Sequence, residues 1–538
     1  MKRYINILMV ALATMMTSCL TEDPRDQLYE EDIYNNANNI YINAVAVLYN
    51  YIGGSADSEG LQGTCRGIYD YNTLTTDEAM IPIRGGDWYD GGLWTNMYQH
   101  KWSPNDLPLY NTWKYLYKVV VLSNKSLHII DKYSHNLSEE QRVAYEAEVR
   151  ALRALFYYYI MDMYGRVPIV TSYEQPQDEV VQSERSEVFR FIVNELQEVA
   201  ELLPNERSNK MGNYYGRVTR PVAHFLLAKL ALNAEIYCDD NWTDGVPRNG
   251  KEIFFTVDGE KLNAWQTCIK YCNKLAEVGY RLEDDYSYNF SVHNENSNEN
   301  IFTIPLDKNL YAAQFWYLFR SRHYNHGGAL GGSSENGTSA NISTVLANGY
   351  GTDDVDARFE KNFYAGIVEV DGKPVMMDNG QQLEYFPLEL KLNLTGSPYV
   401  KTAGARMAKY EVDRTSHSDG RQPDNDIVLF RYADALLMKS EAKVRNGEDG
   451  SLELNEVRGR VGMPYREATL ENILKERLLE LVWEGWRRQD MVRFGVYHKS
   501  YDQRVQLADE KNGYTTVFPI PQKSIDLNPK LKQNVGYK

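Results

Sequence analysis

SEEQRVAYEAEVRALRALFYYYIMDMYGRVP, residues 138–168, has the pattern of one long amphipathic helix. Ser138 is a good N-cap, and Gln141 stands three residues on, as a capping box requires. Ala144, Ala147, Ala151, Ala154 and Tyr158 recur at spacings of 3, 4, 3 and 4, which places them on one face. Most of that face is alanine, so a second helix can approach closely. Arg150 and Arg153 lie on the same stretch, within reach of carboxylates or loop carbonyls. Gly165 and Pro168 end the helix.

Working outward, more segments carry a helical period. Ile33 to Tyr51 is ended by Gly53-Gly54, and Tyr110 to Ile130 precedes the central helix. Phe189, Ile192, Val193, Leu196 and Val199 mark another, stopped by Pro204. Thr219 stands as N-cap of a helix carrying Ala223, Leu226, Leu227, Leu230 and Ala234, and Asn263 to Ala276 is its partner. The succession predicts antiparallel helix pairs. No strict 34-residue consensus recurs. Residues 280–425 differ: they are rich in Gly, Asn, Ser, Asp and Tyr, with a short strand at Asn300 to Pro305. Helices return at Ile427 to Val444, Leu452 to Arg460 and Leu470 to Arg488.

The N-terminus is an export signal. Lys2 and Arg3 precede the apolar run Ile5 to Met16, which is shorter than the roughly 20 residues a membrane span needs. Thr17 and Ser18 lead to Cys19, which sits where a bacterial lipobox carries its lipidated cysteine; Met16 stands where Leu is usual. The expected division is a signal peptide at 1–18, a lipidated tether at 19–32 and a single domain at 33–538. Within that domain, 33–279 forms helical repeats, 280–425 a loop-rich insertion, and 426–538 C-terminal helices and tail. Removing residues 1–18 takes away two of the 58 basic residues and none of the 74 acidic ones, leaving a net charge of −18. That argues against nucleic acid and bare phosphate, and a neutral ligand fits it better. No second segment is apolar enough to cross a membrane. Cys65, Cys238, Cys268 and Cys272 lack zinc spacing and read as small core residues, with Cys238 left open to a bridge.

Catalytic motifs are absent: there is no HExxH, GxSxG, GxxxxGK[ST] or GxGxxG. His323-x-x-His326 reads as a surface-loop pair, too small for a metal site. Asp353, Asp354 and Asp356 read as an Asx-rich turn. Binding signals are richer. The chain has 41 Tyr and 9 Trp. Aromatic rings take the apolar faces of sugars, while carboxylates, amides and Arg take the hydroxyls. One such mixture runs from Arg84 through Asp87, Trp88 and Tyr89 to Trp94, with four glycines that favour tight turns. A second is Tyr311 to Tyr324, with Gln314, Trp316, Tyr317, Arg320 and Arg322. Trp242, beside Asp239, Asp240 and Asn241, is a third. Trp102 and Trp113 read as core. The expected glycan-binding residues are Trp88, Trp316, Arg84, Asp87, Tyr89, Tyr317 and Trp242, with no catalytic residue and no cofactor.

The central stretch R-A-L-R-A-L-F-Y, followed by Y-G-x-V-P, resembles the SusD/RagB family, surface glycan-binding lipoproteins that accompany TonB-dependent transporters. C-terminal pieces agree in order. They are Phe430-Arg431-Tyr432-Ala433-Asp434-Ala435-Leu436-Leu437, Glu476-Arg477-x-x-Glu480-Leu481, Glu484-Gly485-x-Arg487-Arg488-x-Asp490 and Phe518-Pro519-Ile520-Pro521. The resemblance implies a mainly α fold: four tetratricopeptide-like repeats in a superhelix, with the loop-rich insertion carrying the ligand platform. It also implies an oligosaccharide or polysaccharide ligand and a SusC-like partner. The implied location is the outer membrane, lipid-anchored and exposed at the cell surface, where Glu22 and Asp23 after the cysteine accompany surface transport. The charged C-terminal helix residues are structural in that family. The tryptophan pair of its starch-binding member is not matched, since Ile81 and Ile83 stand near those positions, which weighs against starch. Competing readings are a secreted glycoside hydrolase and a helical scaffold that binds only protein.

Overall fold

The structure is a computed structural model that describes residues 30–62, 64–176, 179–310, 316–416 and 423–537, with Trp316 and Tyr317 described in their backbone alone. The signal segment, Cys19 and most of the tether lie outside these residues, as does the Gln314 end of the second aromatic loop.

The central stretch forms α2, Glu139–Tyr164, which follows α1, Leu107–Lys132. Its capping box is complete: the Gln141 amide donates to Ser138 Oγ at 3.2 Å, and the Ser138 amide donates to Gln141 Oε1 at 3.0 Å. Every residue from Ala151 to Tyr164 is buried. A helix buried all round is a core helix, and each Leu, Phe or Tyr buried adds about 1.5–3 kcal/mol. The alanine face lets neighbours approach, and α2 packs on both α1 and α3, Arg185–Ala200. Arg150 reaches Glu195 and Glu198, and Arg153 reaches Glu195 and Asn124, so both arginines tie α2 to its neighbours. Gly165 turns the chain at φ 69°.

The succession continues with α4, Arg220–Leu232, and α5, Ala264–Glu277, which pack on each other. Asn263 and Gln266 cap α5 with a second capping box. Thr219 holds the N-cap position of α4, but its buried hydroxyl makes no capping bond. Between α4 and α5 lies a hairpin of β1, Phe254–Val257, and β2, Glu260–Asn263. After the insertion come α6, Tyr432–Asn446; α7, Ser451–Arg460; α8, Leu470–Leu481; and α9, Arg487–Arg493.

Three boundaries differ from the sequence reading. The first helix is broken into Glu30–Ile33, Ala37–Ile40, a π-helical turn at Tyr41–Ala46, and Val47–Gly53, because Asn36 caps a new start. Residues Ile427–Arg431 form a strand, β4, rather than the start of a helix. β4 pairs antiparallel with β3, Asn300–Ile304, and all ten positions are buried. A continuous Ile-Val-Leu-Phe run suits a fully buried strand better than a helix. The helix expected at Leu470 to Arg488 is split, because Trp483 (φ 69°) and Gly485 (φ 73°) take left-handed backbone between α8 and α9.

Buried charges join the insertion to the C-terminal helices. Glu480 accepts from Arg358, Arg431 and Arg460; Arg431 also meets Glu299 and Glu484, and Arg358 also meets Asp356 and Glu476. Burial alone would raise the Glu480 pKa, but the three guanidiniums hold it well below the ordinary range. The charged helix residues are thus structural. The same region grips the N-terminal part of the chain. The Trp483 amide donates to Glu78 at 2.9 Å, Arg487 pairs with Asp77 at 2.6 Å, and Arg488 Nε donates to Asn72 at 3.0 Å. The tail returns to the end of α2, where the Phe518 amide donates to the Met163 carbonyl at 2.7 Å and Asn534 to that of Tyr164 at 2.8 Å.

Trp102 and Trp113 are buried, as read from the sequence. Cys65, Cys238, Cys268 and Cys272 are all free thiols; three are buried and Cys238 is half-buried. Among the described residues no helix is long and apolar enough to cross a membrane.

Candidate functional site

The loop from Arg84 to Trp94 packs against residues 320–340 and 400–406 of the insertion. It is a chain of tight turns. Arg84 and Asp87 bridge each other through their backbones, with Gly85 at φ 73°. Trp88 (φ 63°), Asp90 (φ 40°), Gly91 and Gly92 are also left-handed. Two non-glycine residues held this way in one short loop indicate a backbone fixed by its surroundings.

Those surroundings are a buried frame. Arg320 is fully buried and bidentate on Asp70, at 2.6 and 3.0 Å, and its Nε donates to Thr338 at 2.9 Å. Trp94 is buried between two guanidiniums, Arg66 and Arg320, each 5.5 Å from the ring. Its Nε1 donates to Asp90 at 2.8 Å, and Arg66 also holds Asp90, at 2.9 Å. Trp88 is half-buried. Its Nε1 donates to the Glu335 carbonyl at 3.0 Å, its edge meets Trp94 at 6.0 Å, and it lies on Gly337, where a Cβ would come within 2.7 Å of the indole.

On this frame sits an open surface. Tyr89 is 59 % exposed and Tyr324 41 % exposed. Asp87 accepts from the Tyr324 hydroxyl at 2.9 Å and from Lys401 Nζ at 2.8 Å. The Lys401 ammonium lies 5.4 Å from the Tyr324 ring centre. The Lys401 hydrogen bond holds the Asp87 carboxyl below its ordinary range. Burial, then the bond to Asp87, pushes the Tyr324 hydroxyl up to about 12, so it stays protonated and donates. Exposed groups here are thus the Tyr89 and Tyr324 phenols, the Asp87 carboxylate and the Lys401 ammonium.

Several sequence expectations fall elsewhere. Arg84 is not a ligand group: it is fully buried and donates to the carbonyls of Val400 (3.0 Å) and Ala403 (2.9 Å) and to Ser339 Oγ (2.8 Å). A guanidinium is the side chain that can satisfy several loop carbonyls at once. Arg320 and Arg322 are likewise buried. Trp242 does not join this surface. Its indole is half-buried against Gly165, with Arg166 and Arg185 at 5.5 and 5.8 Å from the ring. Trp316 and Tyr317 begin the short helix Trp316–Arg320, and their side chains lie outside the described residues. His323 and His326 are buried, not on a surface loop. His326 Nδ1 lies 3.1 Å from the Tyr385 hydroxyl, and burial lowers His323 to about 4 and His326 to about 3, so both are neutral. Asp356 is a buried partner of Arg358, while Asp353 and Asp354 lie in the exposed turn. Among the described residues no three His, Cys, Asp or Glu side chains converge as a metal site would need.

Lys401 was missed. It lies 314 residues from Asp87, and nothing in its own neighbourhood marks it. Tyr324 was reached only as the end of an aromatic segment.

A family model described as SusD family matches residues 332–537, and one described as starch-binding associating with outer membrane matches residues 32–232. The chain belongs to the SusD/RagB family. Among curated SusD relatives, starch-binding protein SusD of Bacteroides thetaiotaomicron is 24 % identical over 90 % of this chain and 89 % of its own. SusD-like protein P25 of Formosa agariphila is 24 % identical over 96 % of each. A solved structure, surface glycan-binding protein A from Bacteroides thetaiotaomicron, superposes with a TM-score of 0.70 at 21 % identity, covering 94 % of this chain and all of that one. A laminarin binding SusD-like protein gives 0.67 at 20 %. The fold is the mainly α, tetratricopeptide-containing SusD fold.

Proposed function

We propose that this SusD-family chain is a glycan-binding lipoprotein that captures oligosaccharide or polysaccharide and delivers it to a SusC-like TonB-dependent transporter. The observation that carries the reading is the exposed pair Tyr89 and Tyr324 around Asp87 and Lys401. Rings of this kind stack on sugar C–H faces, and the charged edge groups take hydroxyls. The relative named starch-binding protein SusD and the solved structure of surface glycan-binding protein A with laminarihexaose support a glycan as ligand class. Asp87, Trp88 and Tyr89 stay in the proposed site, with Trp316 and Tyr317 on the adjoining segment. Ile81 and Ile83 stand near the tryptophan positions of the family's starch-binding member, which weighs against starch.

The protein binds without cutting. Residues 1–18 are removed on export, Cys19 carries the lipid, residues 19–32 form the tether, and the single domain 33–538 stands at the outer surface of the outer membrane. No helix among the described residues is long and apolar enough to cross a membrane, and the proposed transporter supplies the pore. Isothermal titration of Tyr89→Ala and Tyr324→Ala against a cognate oligosaccharide tests the site. Each should lose roughly 2- to 12-fold in affinity, from about 0.5–1.5 kcal/mol of stacking. Wild-type affinity in both would remove the site from this surface. New reducing ends released by the pure protein would replace binding with hydrolysis. Detergent purification should recover a β-barrel with this chain, and Cys19→Ala should abolish fatty-acid labelling.

A further inference from the structure

A second cavity, of about 520 Å³, lies between α3 and the β1–β2 hairpin, away from the Asp87 surface. Its volume falls in the range of small-molecule pockets, about 300–1,000 Å³. The helix and hairpin are clamped at two points. Phe189 meets Phe255 edge-on at 6.0 Å, and Gln197 Nε2 donates to the Thr256 carbonyl at 3.0 Å and to the Tyr271 hydroxyl at 3.1 Å. Between the clamps the walls stand apart.

The walls carry two kinds of group. The floor is apolar, from buried Phe189, Val193 and Phe255. The rim is polar on the helix side, with exposed Arg190 and Asn194, and has Glu252 beside the hairpin. β1 alternates exposed and buried, and its first outward position is Phe254, 54 % exposed, where such a strand ordinarily puts a polar residue. Lys261 stands 4.4 Å over that ring. An outward aromatic beside an amide, a guanidinium and a carboxylate matches the two sides of a pyranose, C–H face and hydroxyl edge. A protein ligand would need a broad apolar patch, and this rim carries Arg190, Asn194 and Glu252.

We propose that this cleft is a second saccharide subsite, with Phe254 as the stacking ring and Asn194, Arg190 and Glu252 as hydroxyl partners. It rests on the reading of the protein as a glycan binder. Two sites on one chain let a long polymer bind with an effective concentration that no short oligomer enjoys.

The test uses the detergent-purified lipoprotein. A panel of soluble neutral polysaccharides is run in affinity gels, and a hexasaccharide of the polymer that retards the protein is titrated by native mass spectrometry. The wild type should bind two hexasaccharides. Phe254→Ala/Asn194→Ala and Tyr89→Ala/Tyr324→Ala should each bind one, and the Phe254→Ala/Asn194→Ala protein should lose at least 10-fold in polymer affinity while keeping its first hexasaccharide. All four residues are exposed or nearly so, and their replacement leaves the core intact. One hexasaccharide on the wild type, or unchanged polymer affinity in Phe254→Ala/Asn194→Ala, overturns the second subsite and leaves the first. If no polymer retards the wild type, the glycan reading falls and the subsite with it.

Discussion

Two basic residues at the Asp87 surface look interchangeable by composition and differ in what they do. Arg84 is walled in and serves three loop oxygens, so Arg84→Met leaves two buried carbonyls and a hydroxyl short of donors. The expected cost is about 1–3 kcal/mol, read by guanidinium unfolding, with ligand affinity per folded molecule little changed. Lys401 is partly open and serves Asp87. In Lys401→Met the Asp87 carboxyl should titrate higher, since the ammonium's hydrogen bond is the main cause of its depression; carbon-13 NMR of the carboxylates reads this. Because the charged form is the one held, ligand binding in the wild type should be steady above about pH 4 and fall only as pH drops through the depressed value. A mutant in which Asp87 does not move would mean that another group sets its charge.

Helices were legible where the sequence states both their ends. α2 was readable from Ser138, Gln141 and Gly165, and α5 from Asn263, because caps are local and follow from side-chain chemistry alone. β4 was not, since a short buried apolar run looks the same in a strand and a helix until its partner strand, whose Ile304 faces Ile427 from a distant part of the chain, is known. The break between α8 and α9 was hidden for a similar reason. Gly485 flags a left-handed turn, but the left-handed Trp483 is held by Glu78 and Asn362, which lie far off in sequence. Gly485→Ala should therefore strain the turn at φ 73°, and its Cβ would come within 3.2 Å of Tyr69. A loss of about 1–3 kcal/mol is expected by chemical denaturation. No loss would mean that the turn relaxes freely. The proposed site follows the same rule: its loop of Asp87, Trp88 and Tyr89 was singled out by composition, whereas the contact of Asp87 with Lys401 needed the fold.

Across the whole molecule, buried ion pairs set the response to acid. Burial would raise Glu441, but Arg493 and Arg445 overcome it and bring it down to about 2 from an ordinary 4.5. A carboxylate depressed in the folded state contributes its stability above the unfolded value and loses it as pH falls through the folded one. About 3 kcal/mol should thus be present above pH 4.5 and fade towards pH 2. Unfolding free energies measured across that window check it, and Glu441→Gln should flatten the slope. A wild-type slope unchanged by the substitution would assign acid sensitivity to other groups.

The grip of Trp483, Arg487 and Arg488 on Asn72, Asp77 and Glu78 spans more than 400 positions of the chain. It fixes an order of events during synthesis. The loop bearing Asp87 leaves the ribosome early, but the residues that brace its base arrive nearly last. The Asp87 surface cannot mature as the chain emerges; it must wait for a closure whose entropic cost falls on the final stage of folding. Pulsed hydrogen exchange during refolding should find amides of α2 protected first, and those of 84–94 protected together with 483–490. Early protection of the loop would show that it closes without its distant brace.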